Sequence, residues 1–171
     1  MAHLTEDWNG LHLLVVHIPI ILLLVAPLLV IVGVRFSAAK RQLLLGSALI
    51  LMVLGTAMTY VAVTTGKSAT KVVASAPALI GLLEEHRSLA ETTTELFSVL
   101  TLAFAALLFA HRLLGRELDS WVSTALFTAF LLFYGTGAAL LVNTALRGGR
   151  LMHALGERTT VTFNLPNIGG R

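Results

Sequence analysis

Four long, nearly unbroken apolar blocks separated by short polar stretches make up most of this chain. Within a block the apolar residues run all the way round a helix, without the polar stripe at every third or fourth position that marks a surface helix of a soluble protein. A hydrocarbon core of about 30 Å takes roughly 20 residues of α-helix, and each block meets that length. The blocks cover about residues 11–34, 42–64, 91–114 and 120–146. The pattern predicts an all-α fold, an integral membrane four-helix bundle forming a single domain over residues 1–171.

The polar positions punctuate this pattern. Asp7-Trp8-Asn9-Gly10 precedes helix 1 with an interfacial Trp and a cap. Pro19 and Pro27 lie inside helix 1, where each removes a helical hydrogen bond. Membrane helices tolerate this when a neighbour takes up the freed carbonyl. Gly46 and Gly55 in helix 2, and Gly135-Thr136-Gly137 in helix 4, offer places for close backbone approach. Residues 76–90 carry Leu79, Ile80, Leu82, Leu83 and Leu89 against Glu84, Glu85 and Arg87, and read as an interfacial helix leading into helix 3, started by Ser75 and Pro77. Residues 147–171 read as a tail with a β-prone run at 159–163. The N-terminus is acidic and the first block is too long for the apolar region of a signal peptide, so it reads as a retained helix.

Composition closes off several function classes. The chain is 56% hydrophobic and only 12% charged, with a mean hydropathy of +0.85, whereas soluble domains are roughly 25% charged. With no cysteine, disulfides, thiolate metal sites, iron–sulfur clusters and Cys-linked haem are excluded. The formal net charge of +3 comes without a run of like charges, so nucleic acid is not an expected partner. There is no nucleophile–base set and no phosphate-binding loop, and the expected role is non-catalytic.

An even number of spans places the start of helix 1, the end of helix 2, the start of helix 3 and the end of helix 4 on one membrane face. His12, His17, His86 and His153 therefore share that face, while His111 falls on the other and His3 lies in the N-terminal segment. Ionisable residues in membrane segments default to a functional hypothesis, and neutral imidazole is both a common metal ligand and the usual axial ligand of haem. His12 and His17 are separated by roughly 140° around a helix and about 7.5 Å along it, so they suit two partners better than one chelated ion. The simplest expectation is one b-type haem held by His17 and His86, with a second pair in His12 and His153. Glu91 and Glu95, with Thr92, Thr93 and Thr94, form a polar collar at the start of helix 3, able to orient an imidazole or carry protons.

The stretch Leu11-His12-Leu13-Leu14-Val15-Val16-His17-Ile18-Pro19-Ile20 resembles the Leu-His-Pro-Leu-Leu-Val-His-Phe-Pro-Ile signature of a family of small bacterial four-helix membrane proteins of unassigned function. His86-Arg87-Ser88-Leu89-Ala90 is similar to that family's second signature. The run from Arg147 to Gly156 is similar to its closing one, a Gly-Gly pair followed by a His-Gly-rich end. The chain departs from the family at Leu13, in place of Pro, and at His153, which Gly does not directly follow. Family members fused to c-type cytochrome domains imply an electron-transfer setting and b-type haem.

Lys and Arg set orientation. The compact first turn holds Arg35, Lys40 and Arg41; the second holds Arg112 and Arg116; the histidine face has Lys67, Lys71, Arg87 and a basic tail, but no base before helix 1. Weighting the first turn predicts an N-terminus and histidine face outside the cytoplasm; with the bacterial inner membrane that the resemblance implies, that face is the periplasmic one. The expected function is a cytochrome b-like electron-transfer subunit of a larger respiratory or photosynthetic-type complex. Its expected partners are lipid, other membrane subunits, a periplasmic c-type cytochrome and quinone. The competing expectations are a cofactor-free accessory subunit, whose histidines are interfacial hydrogen bonders, and a small transporter with the Glu91–Glu95 collar in its path.

Overall fold

The computed structural model describes residues 3–69, 79–114 and 119–163. They form four helices: α1 (His3–Gly33), α2 (Ala38–Ala69), α3 (Ile80–Leu114) and α4 (Ser120–Phe163). All four contain a segment long and apolar enough to cross a membrane: Leu14–Gly33, Ala38–Lys67, Ile80–Ala110 and Ser120–Ala154. The all-α four-helix bundle expected from the apolar blocks is the observed fold, and four such segments make this a multi-pass membrane protein.

Two boundaries differ from expectation. Residues 80–90 do not form a separate interfacial helix; they run without a break into α3. Ser75 and Pro77 lie outside the described residues. The segment expected as a tail continues α4 through Gly148-Gly149 as far as Phe163, so residues 159–163 are helical and not a strand. The reason is periodicity: Leu141, Thr144, Gly148 and Leu151 keep helical spacing and all face inward at the bundle end, with Leu151 buried against Leu79 and Leu83. At 44 residues α4 is about 66 Å long, well beyond the hydrocarbon thickness, so it projects at the end where the histidines lie.

Each helix packs against its sequence neighbours, and α4 closes the ring against α1. α1 and α3 are therefore diagonal and run in the same direction. The core is a seam at three- and four-residue spacing: Leu23, Ala26 and Val30 from α1, Leu45, Ala48 and Met52 from α2, Phe97, Leu100 and Phe104 from α3, and Phe130, Tyr134 and Leu141 from α4. Large apolar side chains on the other faces stay open, such as Leu102 (71% exposed) and Leu132 (70%), as lipid contact requires. Because lipid tails are as apolar as leucine, burial alone does not hold such helices together; close packing and hydrogen bonds do. Gly55 supplies the first. A Cβ there would lie 2.7 Å from Leu23 Cγ, so α1 and α2 meet at van der Waals distance only because the side chain is absent. Gly46, expected to do the same, faces open space.

Hydroxyl groups supply the second. Thr56 and Thr101 hydrogen-bond across α2–α3 at 2.9 Å, and Tyr60 and Ser98 do so at 2.9 Å. The Tyr134 hydroxyl donates to the Leu23 carbonyl at 2.7 Å. That carbonyl is the one whose helical donor is missing, because residue 27 is proline. The donor that Pro27 removes from α1 is thus replaced by a buried phenol from α4.

Candidate functional site

At the end of the bundle where α1 and α3 begin and α2 and α4 finish, the helices enclose a cavity of about 370 Å³. That is within the roughly 300–1,000 Å³ typical of small-molecule sites. Most of its lining is apolar, from residues such as Val16, Ile20, Leu83 and Leu141. His12 and His86 border it from the diagonal helices α1 and α3.

Both rings are anchored in the same way. His86 Nδ1 lies 3.1 Å from the Thr144 carbonyl oxygen. A carbonyl only accepts, so Nδ1 carries the proton. His12 Nδ1 lies 3.0 Å from Thr65 Oγ1, whose own hydroxyl points to the carbonyls of Val61 and Ala62 at 2.9 and 3.0 Å. The threonine proton is engaged there, so His12 Nδ1 is again the donor. In the neutral form of each ring the lone pair is then on Nε2. Each ring also rests on a glycine of the next helix. A Cβ on Gly66 would lie 3.2 Å from His12 Cε1, and one on Gly148 would lie 2.9 Å from His86 Cε1. The two hairpins, α1–α2 and α3–α4, therefore repeat one device: a histidine early in the first helix, and a threonine acceptor and a glycine late in the second.

His12 lies just before the membrane-crossing segment of α1. Its pKa is lowered from the ordinary 6.5, chiefly by burial and then by the charge that His86 carries when protonated; the carbonyl of Ala62 works the other way. Its ring is accordingly neutral at pH 7, the form that binds metals.

The other expected site residues are placed as follows. His17 borders the same cavity but is exposed. His153 is exposed too and lines an open groove of α4 with Arg150 and Gly149; it is not among the residues that border the cavity. Backbone positions alone are described for His3 and His111, at the start of α1 and towards the far end of α3. The expected collar splits. Thr93 and Thr94 turn inward and are buried, Thr93 meeting Thr144 Oγ1 at 2.9 Å, while Thr92 and Glu95 face outward. Glu91 is tied to Lys67 of α2 at 3.2 Å and to Arg87 at 3.3 Å, and Glu85 pairs with Arg147 across α3–α4. Among the described residues no three His, Asp or Glu side chains are grouped to hold an ion.

Thr65, Gly66 and Thr144 do not stand out in the sequence, and Gly148 stands out only as half of the Gly-Gly pair. The signal for the last two is the helical spacing that carries on past the Gly-Gly pair. For Thr65 and Gly66 it is their place opposite His12 in an antiparallel pair. No family model, curated protein or solved structure matches the chain.

Proposed function

We propose that this protein is a membrane-embedded electron-transfer subunit that binds one b-type haem in this cavity, with His12 and His86 as the axial ligands. One observation carries the reading: two half-buried imidazoles, on diagonal helices and bordering one cavity, each with Nδ1 tied down and a glycine against the ring. With Nδ1 held by an acceptor, each imidazole would keep Nε2 for iron, and two such rings on one apolar cavity are a donor set that suits haem. A haem bound there supplies reversible one-electron transfer. The chain's own part is to fix the tautomer through Thr65 and the Thr144 carbonyl, to set ring orientation through Gly66 and Gly148, and to keep water scarce with apolar walls. The expectation from sequence paired His86 with His17. His12 is half-buried where His17 is exposed, which favours His12 in that role, and His153 lies outside the cavity lining, which favours one haem over two. A periplasmic face, supported by the bases of the first turn, and a c-type cytochrome or quinone as redox partner in a larger complex belong to the same proposal; the electron-transfer setting is what the signature resemblance implies.

The experiment is the visible spectrum of the purified protein, oxidised and dithionite-reduced. Soret and α bands of a low-spin haem are expected, and His12→Ala and His86→Ala should each abolish the low-spin form while His153→Ala leaves it intact. A protein without these bands has no haem. Loss with His17→Ala but not with His12→Ala would return the pairing to His17 and His86. The second reading, a cofactor-free accessory subunit, draws on the same contacts, since His12–Thr65 and His86–Thr144 also join helices unaided; it predicts the bandless spectrum.

A further inference from the structure

Lys67 and Arg87 border the cavity from different helices, and both are about half exposed. Each follows a residue of the imidazole site: Lys67 follows Gly66, which lies against the His12 ring, and Arg87 follows His86 itself. Both meet the same atom, Oε1 of Glu91, at 3.2 and 3.3 Å. Glu91 itself is outside the cavity lining. Two cations this close repel, and a shared carboxylate oxygen offsets that repulsion. The arrangement is therefore a preformed carboxylate seat, filled from within the chain, at the rim of an apolar slot that has imidazoles on two walls.

We infer that this rim recognises ligand carboxylates, with Glu91 as the internal stand-in for the acidic edge of the bound molecule. The inference rests on the haem reading and names the ligand class further: a flat, apolar tetrapyrrole with free carboxylate side chains, held by Lys67 and Arg87. An ammonium has three N–H donors in all and a guanidinium five, the donor set a carboxylate calls for. Charge-assisted contacts to a carboxylate are the stronger kind of hydrogen bond. Glu91 competes for the same donors, so it weakens binding of an acidic ligand and leaves a neutral one unaffected.

The test titrates the purified, haem-depleted full chain in detergent with Fe(III) protoporphyrin IX and, separately, with its dimethyl ester, following the Soret band. The imidazoles serve both probes equally, and comparing variants with wild type for each probe cancels their different partition into detergent. The Lys67→Gln/Arg87→Gln double variant should bind the free acid about tenfold more weakly and the ester as wild type does. Glu91→Gln should bind the free acid about threefold more tightly and the ester unchanged. Equal effects on both probes, or no tightening in Glu91→Gln, would overturn the carboxylate seat while haem binding stands. If wild type binds neither probe, the haem reading falls and the seat with it.

Discussion

Replacing Gly148 with leucine is expected to weaken haem binding at the proposed site by about 10- to 100-fold, the range seen when a group that orients a metal-bound imidazole is lost. The cause is steric. An added Cβ alone would sit 2.9 Å from His86 Cε1 and 3.4 Å from both ring nitrogens, so a full side chain displaces the ring. Displacement also breaks the Nδ1 hydrogen bond to the Thr144 carbonyl. The fold itself should persist, because leucine is a better helix former than glycine by roughly 0.8–1 kcal/mol and the position lies towards the projecting end of α4. Gly135→Ala is the control: its methyl meets open space away from the cavity lining, and affinity should not change. Spectral titration of haem-depleted protein reads the effect, alongside gel filtration for the fold. Unchanged affinity in Gly148→Leu would mean that haem does not depend on His86 at this place.

Tyr134→Phe is expected to cost about 2 kcal/mol of stability, near the upper end for a hydrogen bond between membrane helices. Such bonds often contribute less, because the separated helices can re-satisfy their groups. Here that route is closed. Pro27 has no N–H, so the Leu23 carbonyl has no donor from its own helix four residues on. The phenol is 1% exposed and packed edge-on against Phe97, with ring centroids 5.4 Å apart. Phenylalanine keeps that packing and removes only the donor. Unfolding by SDS titration from mixed micelles measures the loss, and a double-mutant cycle identifies its source. In a Pro27→Ala background residue 27 regains an N–H for Leu23, so Tyr134→Phe should then cost much less. An equal cost in both backgrounds would show that the phenol stabilises the bundle by other means.

The site is partly legible in the amino-acid sequence. Parity of the spans puts His12, His17 and His86 at one end, and the structure brings all three to one cavity. The choice among them is not legible there. It depends on which side of α1 faces α2 and α3, and α1 is apolar on nearly every side. The same difficulty explains Gly46 and Gly55: nine residues apart in one helix, they look equivalent in sequence, yet one meets Leu23 and the other meets nothing. Glu91 and Glu95 differ likewise. The first reaches Lys67 and Arg87 and the second faces outward. In a soluble protein a polar stripe would announce the inner face. In lipid both faces are apolar, and the stripe is missing.

What the sequence determined by itself is therefore the set of properties that depend on hydrophobic length: four helices, their order and the end of the bundle that collects the histidines. A bilayer imposes these directly, because every backbone polar group in it must be satisfied within a helix. Rotation of each helix about its own axis was decided by tertiary structure alone. It set the Leu23–Ala26–Val30 seam against Gly55 and Tyr134, turned His12 and His86 onto one cavity, and laid their rings on Gly66 and Gly148. These choices rest on small side chains, threonine hydroxyls and one proline's missing donor. Such contacts act only between helices already side by side, and hydropathy along a single chain does not record them.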